Sequence, residues 1–177
     1  LVLDGGQGQN ASGRLQRSQW IERYGLATAK RLDAEIRAGF DNFRALTQGI
    51  DCDAYEGGHL YLAHRPEKLK TLQAETDLAR GTFGYRTRMM SAEEVRDNHC
   101  DEREQAGAMY EAEGIGIHPL KFSFGLMRMA RALGARVHTA SPVQGWSSVG
   151  GVQHLQTPGG TVRARRGAVC TGGYTGQ

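Results

Sequence analysis

The stretch Leu1-Val2-Leu3-Asp4-Gly5-Gly6-Gln7-Gly8 decides the fold. Three aliphatic residues closed by an acid are typical of the end of a buried β-strand, and glycines follow at once. In dinucleotide-binding domains such an acid comes about 20 residues after a G-x-G-x-x-G turn and accepts hydrogen bonds from ribose hydroxyls. We therefore expect Asp4 to contact a nucleotide, and we expect the first βαβ unit, with that turn, to lie upstream of Leu1.

Composition narrows the class of protein. The 177 residues are 39% hydrophobic and 23% charged, which is ordinary for a soluble globular chain. The net charge of +3 is too small to favour a nucleic-acid partner, and no apolar run is long enough to span a membrane. Cys52, Cys100 and Cys170 lack zinc or disulfide spacing and favour a reducing, cytoplasmic compartment, and the histidines form no spaced cluster, so no metal site is expected.

The hydrophobic pattern predicts helices and short strands in alternation. The predicted helices cover residues 18–48, 66–79, 91–98 and 119–133, and the predicted strands cover 58–64, 86–90 and 108–113. From residue 136 onward the pattern changes to an antiparallel meander, with predicted strands at 137–139, 143–149, 152–157 and 161–165 and a last strand at 167–171. The helix that begins at Pro119 is apolar over a broad surface, so we expect it to be buried on more than one side.

The loop Asn10-Ala11-Ser12-Gly13-Arg14 is the first candidate site. Its small residues let the backbone approach a diphosphate, and Ser12 and Arg14 carry hydrogen-bond donors. The alternative is a polar surface loop, and the residues alone do not decide between the two.

The second candidate is Cys170-Thr171-Gly172-Gly173-Tyr174, where glycines follow an apolar strand. Ligands of open α/β sheets bind beyond the carboxyl ends of strands, although a plain turn has the same composition. Cys170 itself is interpreted as a small buried hydrophobic residue and not as a nucleophile.

The third candidate is Gly116-Ile117-His118-Pro119 at the start of a helix. His118 could face a ligand there, or it could cap the helix.

Taken in order, several motifs resemble those of the FAD-dependent amine and amino-acid oxidoreductases of the D-amino-acid oxidase type. They are the strand ending in Asp4, the loop at 10–14, Gly57-Gly58-His59-Leu60, Gly116-Ile117-His118-Pro119-Leu120, Ser141-Pro142-Val143 and Thr171-Gly172-Gly173-Tyr174. The similarity runs from Leu1 to Gln177 and is greatest to the γ-glutamylputrescine oxidoreductase branch. It implies hydride transfer from the carbon beside an amine to flavin N5, hydrolysis of the resulting imine, and reoxidation by O₂ or another acceptor.

The resemblance also implies roles for single residues. Asp4 would bind the adenosine ribose, Val143 would meet the adenine through its backbone, and Thr171 and Gly172 would lie along the cofactor. The diphosphate and flavin region would be lined by Ala11, Ser12, Gly13 and Arg14. His59, Tyr61 and His118 would face the substrate, a small-molecule amine, and no catalytic base is required.

The expected fold is α/β with α+β character: part of a Rossmann-like FAD-binding domain plus a mixed-sheet substrate domain. Residues 1–49 would be the remnant of the FAD domain and its long helix, 50–117 the substrate domain, and 118–177 the helix, meander and returning strand of the FAD domain. The N-terminal βαβ unit and the C-terminal portion would lie outside the chain. The sequence leaves the oligomeric state open.

The chain departs from the family pattern in one stretch. Leu15-Gln16-Arg17 stands where the family has Asn-Gly-Gly, and the segment up to Tyr24 is about a dozen residues short. This is either a true deletion or a gap in the sequence as given. Because the glycine turn and the C-terminal portion are also expected to lie outside the chain, we expect the fragment alone to bind no FAD and to be inactive. Two alternatives remain: a non-catalytic binding module that retains the substrate-domain fold, and a flavin or NAD enzyme of other chemistry, such as a dehydrogenase that passes electrons to a quinone.

Overall fold

The computed structural model describes residues 8–10, 15–101 and 103–171. The chain divides into two compact units, Leu1–Ala130 and Arg131–Gln177. Helices are interspersed with antiparallel sheets, which confirms the predicted mixed α/β class.

The first unit holds the helices and two small sheets. Its helices are α1 (Arg17–Gln48), α2 (Pro66–Phe83), α3 (Ala92–Asn98) and α4 (Pro119–Ala132), the last of which runs on into the second unit. Its strands are β1 (Gly8–Asn10), β2 (Tyr55–Glu56), β3 (His59–Leu62), β4 (Thr87–Ser91), β5 (Gly107–Glu111) and β6 (Gly114–Gly116).

Helix α1 turns back on itself at Gly25. Its backbone there has φ 76° and ψ 159°, a conformation essentially restricted to glycine. In a straight helix, residues 16 apart would be separated by about 24 Å, yet Arg17 Nε donates to Asp33 Oδ1 at 3.0 Å. The predicted uninterrupted helix starting near Ser18 is therefore corrected to two helical segments that begin at Arg17 and are joined at Gly25.

The other helix ends in this unit follow the sequence signals. Pro66 occupies the first turn of α2, and Gly84, with φ 74°, ends that helix in the left-handed conformation. Ser91 Oγ accepts a hydrogen bond from the backbone N–H of Glu94 at 3.1 Å and so caps α3, as predicted.

Strand β5 is the centre of the larger sheet, whose order is β3-β5-β4 with antiparallel pairing throughout. On one face, Met90, Val95 and Ala108 form a buried cluster beneath α3. Helix α2 lies along the sheet as well: its Thr76 Oγ1 contacts Met89 Sδ at 3.3 Å. The smaller sheet has the order β1-β6-β2 and is also antiparallel.

Helix α4 is less buried than its composition predicts. Gly125 is buried, and a methyl group there would lie 2.2 Å from Ile50. Leu120 is 46% exposed and Phe124 is 47% exposed, so the expectation of burial on more than one side is wrong for the part of the chain that the structure describes.

The second unit is a three-stranded antiparallel meander of β7 (Gly145–Val149), β8 (Val152–Thr157) and β9 (Gly160–Ala164). Gly150 and Gly151 both have positive φ, as a tight two-residue hairpin turn requires. The predicted strands at 137–139 and 167–171 are not strands here. A strand needs a hydrogen-bonded neighbour, and neither segment has one in the described residues.

Candidate functional site

Strand β6 brings three of the candidate segments together. Asn10, the first residue of the loop at 10–14, pairs with Gly114, and Tyr55 pairs with Gly116 at the other end of β6. Gly58 also donates its backbone N–H to the carbonyl oxygen of Gly114, at 3.2 Å. The chain therefore enters the expected cofactor loop beside the Gly57-Gly58-His59 motif.

A β-bulge separates the two small sheets. Glu56 pairs with Ile115 and His59 pairs with Glu111, so the strand that runs from β5 into β6 carries one residue more than its partner between these pairs. Bulges bend a strand and are common next to active sites, where they redirect side chains. This bulge directs the chain from the larger sheet toward His118.

The bulge depends on glycine at a close backbone contact. A Cβ atom at Gly114 would lie 2.5 Å from the carbonyl carbon and oxygen of Gly58. At Gly116 the same atom would meet the ring of Tyr55 at 2.2 Å. Packing within the site therefore favours glycine at both positions, most strongly at Gly114, where the neighbouring atoms are backbone.

His118 lies at the head of α4, at the edge of an open cleft of about 550 Å³ that is lined by Asp53, Tyr55, Ile117, His118 and Pro119. Its backbone N–H donates to the carbonyl oxygen of Cys52 at 2.7 Å. Its Nδ1 accepts from the backbone N–H of Lys121 at 3.5 Å, which is a long helix-capping contact. The capping role and the ligand-facing role are therefore compatible.

An ion pair stands beside the same cleft. Lys121 Nζ contacts Asp53 Oδ1 at 2.7 Å, and this hydrogen bond raises the pKa of the Lys121 ammonium. Asp53 adopts φ 53°, which is uncommon for a residue other than glycine. The pair holds the loop before β2 against the first turn of α4.

His59 and Tyr61 lie on one face of strand β3. Their rings meet edge to face with centroids 4.4 Å apart. Partial burial lowers the pKa of the His59 imidazole, so the ring stays neutral to a lower pH than a free histidine. His59 is exposed and Tyr61 half-buried, as suits residues that could face a small molecule.

Sequence reasoning missed a buried cluster around Asp33. Arg17 Nε and the Tyr85 hydroxyl both donate to Asp33 Oδ1 at 3.0 Å, and Arg37 Nε donates to Oδ2 at 3.1 Å. The guanidinium carbons of both arginines lie 3.7 Å from the Tyr85 ring centroid. The i,i+4 spacing of Asp33 and Arg37 on α1 predicts their pairing. No spacing predicts that Arg17 and Tyr85 join them, because the reversal at Gly25 is what brings Arg17 to Asp33.

Sequence reasoning also missed Glu111. This residue is fully buried, and neither carboxylate oxygen has a hydrogen-bond partner in the described part of the chain. Burial raises the pKa of its carboxyl to about 7. The available signal was an acid at an inward position of an otherwise apolar strand, on the same face as Met109.

The remaining predicted site residues fall outside the first unit or outside the description. Val143, Cys170 and Thr171 belong to the second unit, where all three are exposed, so the interpretation of Cys170 as a buried residue is wrong. The following lie outside the described residues: Asp4, Ala11, Ser12, Gly13, Arg14 and Gly172.

The described residues also bear on metal binding and on membrane insertion. No group of three or more metal-ligating side chains comes together among them. None of the helices that the structure describes is long and apolar enough to cross a membrane.

The fold is shared with enzymes that act on amino acids. The structure is similar to glycine oxidase from Geobacillus kaustophilus, with 25% identity, a TM-score of 0.66, and coverage of 90% of this chain and 42% of the oxidase. It is also similar to L-proline dehydrogenase from P. horikoshii, with 16% identity, a TM-score of 0.60, and coverage of 72% and 34%. L-amino acid deaminase from Proteus vulgaris matches with 19% identity, a TM-score of 0.59, and coverage of 71% and 31%.

The chain thus spans less than half the length of each of these proteins. No curated protein matches the sequence. The family described as "FAD dependent oxidoreductase" (DAO) matches residues 1–177, the whole length of the sequence. The chain belongs to the DAO family of FAD-dependent oxidoreductases.

Proposed function

We propose that the protein carrying this chain oxidises the C–N bond of an amine or amino acid, with FAD as the hydride acceptor. The family match over the whole chain carries this proposal. The likeness to an oxidase, a dehydrogenase and a deaminase of amino acids supports the class of substrate. Bound FAD would accept the hydride at N5, and the protein would position the substrate C–H bond against it.

Two described residues of the proposed cofactor set suit that role by their exposure. Val143 is 52% exposed, and Thr171 is exposed as well. This exposure is compatible with Val143 meeting the adenine through its backbone and with Thr171 lying along the cofactor. We propose the further cofactor contacts at Asp4, Ala11, Ser12, Gly13, Arg14 and Gly172.

We propose His59, Tyr61 and His118 as the substrate-facing residues. The cleft at His118 has the size of a small-molecule site, and the neutral imidazole of His59 beside the Tyr61 ring suits an uncharged amine. These side chains would bind and orient the amine. A neutral amine can lose hydride directly, so the proposal needs no catalytic base.

We also propose boundaries for the two domains and a branch of the family to which the protein belongs. Residues 1–49 and 118–177 would belong to the FAD domain and 50–117 to the substrate domain. The order of motifs supports the γ-glutamylputrescine oxidoreductase branch within the family. Cys52, Cys100 and Cys170 are free thiols, which supports a cytoplasmic location.

Residues 1–177 expressed alone are proposed to bind no FAD and to lack activity. The chain spans 42% of the glycine oxidase it resembles, so much of a complete cofactor site would come from elsewhere. Flavin absorbance that survives gel filtration of this fragment would contradict this point without affecting the proposal for the whole protein.

The test of the function is a visible absorbance scan of the whole protein, purified without added cofactor. We expect flavin bands, which an amine substrate bleaches when oxygen is excluded. γ-Glutamylputrescine, sarcosine, glycine and proline are the candidates to compare. Rapid return of the bands on admitting O₂ would identify an oxidase, and return only with a quinone would identify a dehydrogenase. A colourless protein that takes up no FAD would contradict the proposal and favour the non-catalytic binding module.

A further inference from the structure

Glu111 is the one fully buried acid of strand β5 and occupies its last position. Its direct cross-strand neighbours are His59 on β3 and Thr87 on β4. The next two residues, Ala112 and Glu113, form the bulge that leads into β6. Glu111 therefore lies directly before the connection between the two sheets.

The donors around Glu111 are engaged elsewhere. Thr87 Oγ1 donates to the carbonyl oxygen of Thr76 at 3.1 Å. Arg17 and Arg37 both direct Nε to Asp33. Neither Glu111 oxygen receives a hydrogen bond in the described part of the chain, and a buried carboxylate in that position is strongly destabilised by lost hydration.

A proton is the partner that fits this site. Both carboxylate oxygens are shielded from solvent and lack a hydrogen-bond partner in the described part of the chain. Protonation removes the charge and with it most of the cost of burial. A carboxyl that has gained a proton can stay in this position without a cationic partner.

The charged groups around Glu111 come from several elements. Helix α2 presents only the uncharged Thr76 and Ala79 as buried residues. Four charged groups act on the Glu111 carboxyl: Arg17, Asp33 and Arg37 of α1, and Glu113 of the bulge. His59 of β3 is its titratable cross-strand neighbour. The arginines favour the ionised form, whereas Asp33 and Glu113 oppose it, and burial outweighs them all.

We propose that Glu111 is a proton-operated switch: the buried, unpartnered carboxyl carries a proton in the folded chain on the acid side of neutrality, and its ionisation loosens the bulge between β5 and β6. The smaller sheet, in which β6 lies between β1 and β2, is then less firmly attached to the larger sheet at alkaline pH. The switch is a property of the fold and does not depend on the proposed amine oxidation.

The direction of the pH effect follows from the two states of the chain. The carboxyl titrates near its ordinary value of 4.5 when unfolded and at about 7 when folded. Its stabilising contribution is therefore complete below about pH 4.5 and is lost as the pH rises through about 7.

The test compares thermal unfolding of the natural chain and the Glu111→Gln variant from about pH 5 to pH 8. Glutamine stays neutral at every pH. The melting temperature of the variant should therefore rise relative to that of the natural chain as the pH rises, by on the order of 5 °C across the range. Glu56→Gln is the matched control, because this acid is 65% exposed on β2 and its removal should shift the melting temperature by the same amount at every pH. A constant difference between Glu111→Gln and the natural chain would overturn the proposal.

Two measurements on the natural chain keep the proposal testable if Glu111→Gln fails to fold. Infrared spectroscopy should detect the carbonyl band of a protonated carboxyl that disappears as the pH rises through about 7. Amide hydrogen exchange at Gly58, corrected for intrinsic rate, should accelerate over the same range, while exchange at the fully buried Ala29 of α1 should not. A folded chain without such a band at about pH 6, or with exchange at Gly58 independent of pH, would contradict it.

Discussion

Gly58 donates its backbone N–H to the carbonyl oxygen of Gly114 at 3.2 Å, and this contact joins two motifs that are far apart in the sequence. A Cβ atom at residue 114 would lie 2.5 Å from the Gly58 carbonyl group, which is backbone and cannot rotate away. We therefore expect Gly114→Ala to lower the free energy of unfolding by about 1–3 kcal/mol. Urea denaturation at equilibrium measures this loss of stability.

The matched control for that substitution is Gly39→Ala. Gly39 lies within helix α1 and a Cβ atom there has nothing within 4 Å. Alanine favours helix over glycine, so this variant should be stabilised by about 0.5–1 kcal/mol. Equal effects from both substitutions would show that the close contact at Gly114 has no energetic weight.

Asp33 neutralises two buried or half-buried arginines at once. Asp33→Ala leaves Arg17 without its carboxylate and removes the acceptor of the Tyr85 hydroxyl. Breaking a buried ion pair on one side costs about 3–5 kcal/mol, so the variant should be severely destabilised. The midpoint of chemical denaturation is the appropriate measurement.

Asp41→Ala provides the comparison on the same helix. The Asp41 carboxylate is 72% exposed and lies 3.5 Å from Arg44. Such a surface pair contributes about 0–1 kcal/mol. If Asp33→Ala proved as mild as Asp41→Ala, the cluster around Asp33 would not hold the two segments of α1 together.

The reversal at Gly25 illustrates where prediction from sequence ended. The apolar repeat of α1 continues across this residue, so periodicity indicates a single helix, whereas the backbone changes direction because glycine admits φ 76°. Local signals succeeded where the cause was local: Ser91 caps α3, and Gly84 ends α2. Each involves atoms within a few residues of one another.

The candidate site shows the same limit. The motifs at Gly57-Gly58-His59 and Gly116-Ile117-His118 were recognised separately, and pairing through β6 brings them into one sheet junction. The sequence does not predict the buried, unpaired carboxyl of Glu111, because its burial depends on how three strands and a helix pack together. The composition of segment 167–171 predicts a strand, but composition does not show whether a neighbouring strand exists to pair with it.

The lowered pKa of the His59 imidazole can be tested by direct titration. Because partial burial lowers its pKa, the imidazole should titrate below the ordinary value of 6.5. Tyr61→Ala removes the ring that lies 4.4 Å away and exposes the imidazole, so the pKa should return toward 6.5. NMR titration of the His59 ring protons measures both values. A midpoint at or above 6.5 in the natural chain would contradict the assignment.

The two roles of His118 can be separated by a pair of variants. His118→Ala removes the acceptor for the Lys121 N–H, so it should lower the free energy of unfolding by about 0.5–2 kcal/mol. His118→Asn retains a capping oxygen and should recover most of that stability, because asparagine is among the best residues at this position. In the whole enzyme, steady-state kinetics with the bleaching amine should show a raised KM for both variants if the imidazole contacts substrate. A KM that recovers together with stability in His118→Asn would leave His118 as a helix cap and remove it from the substrate pocket.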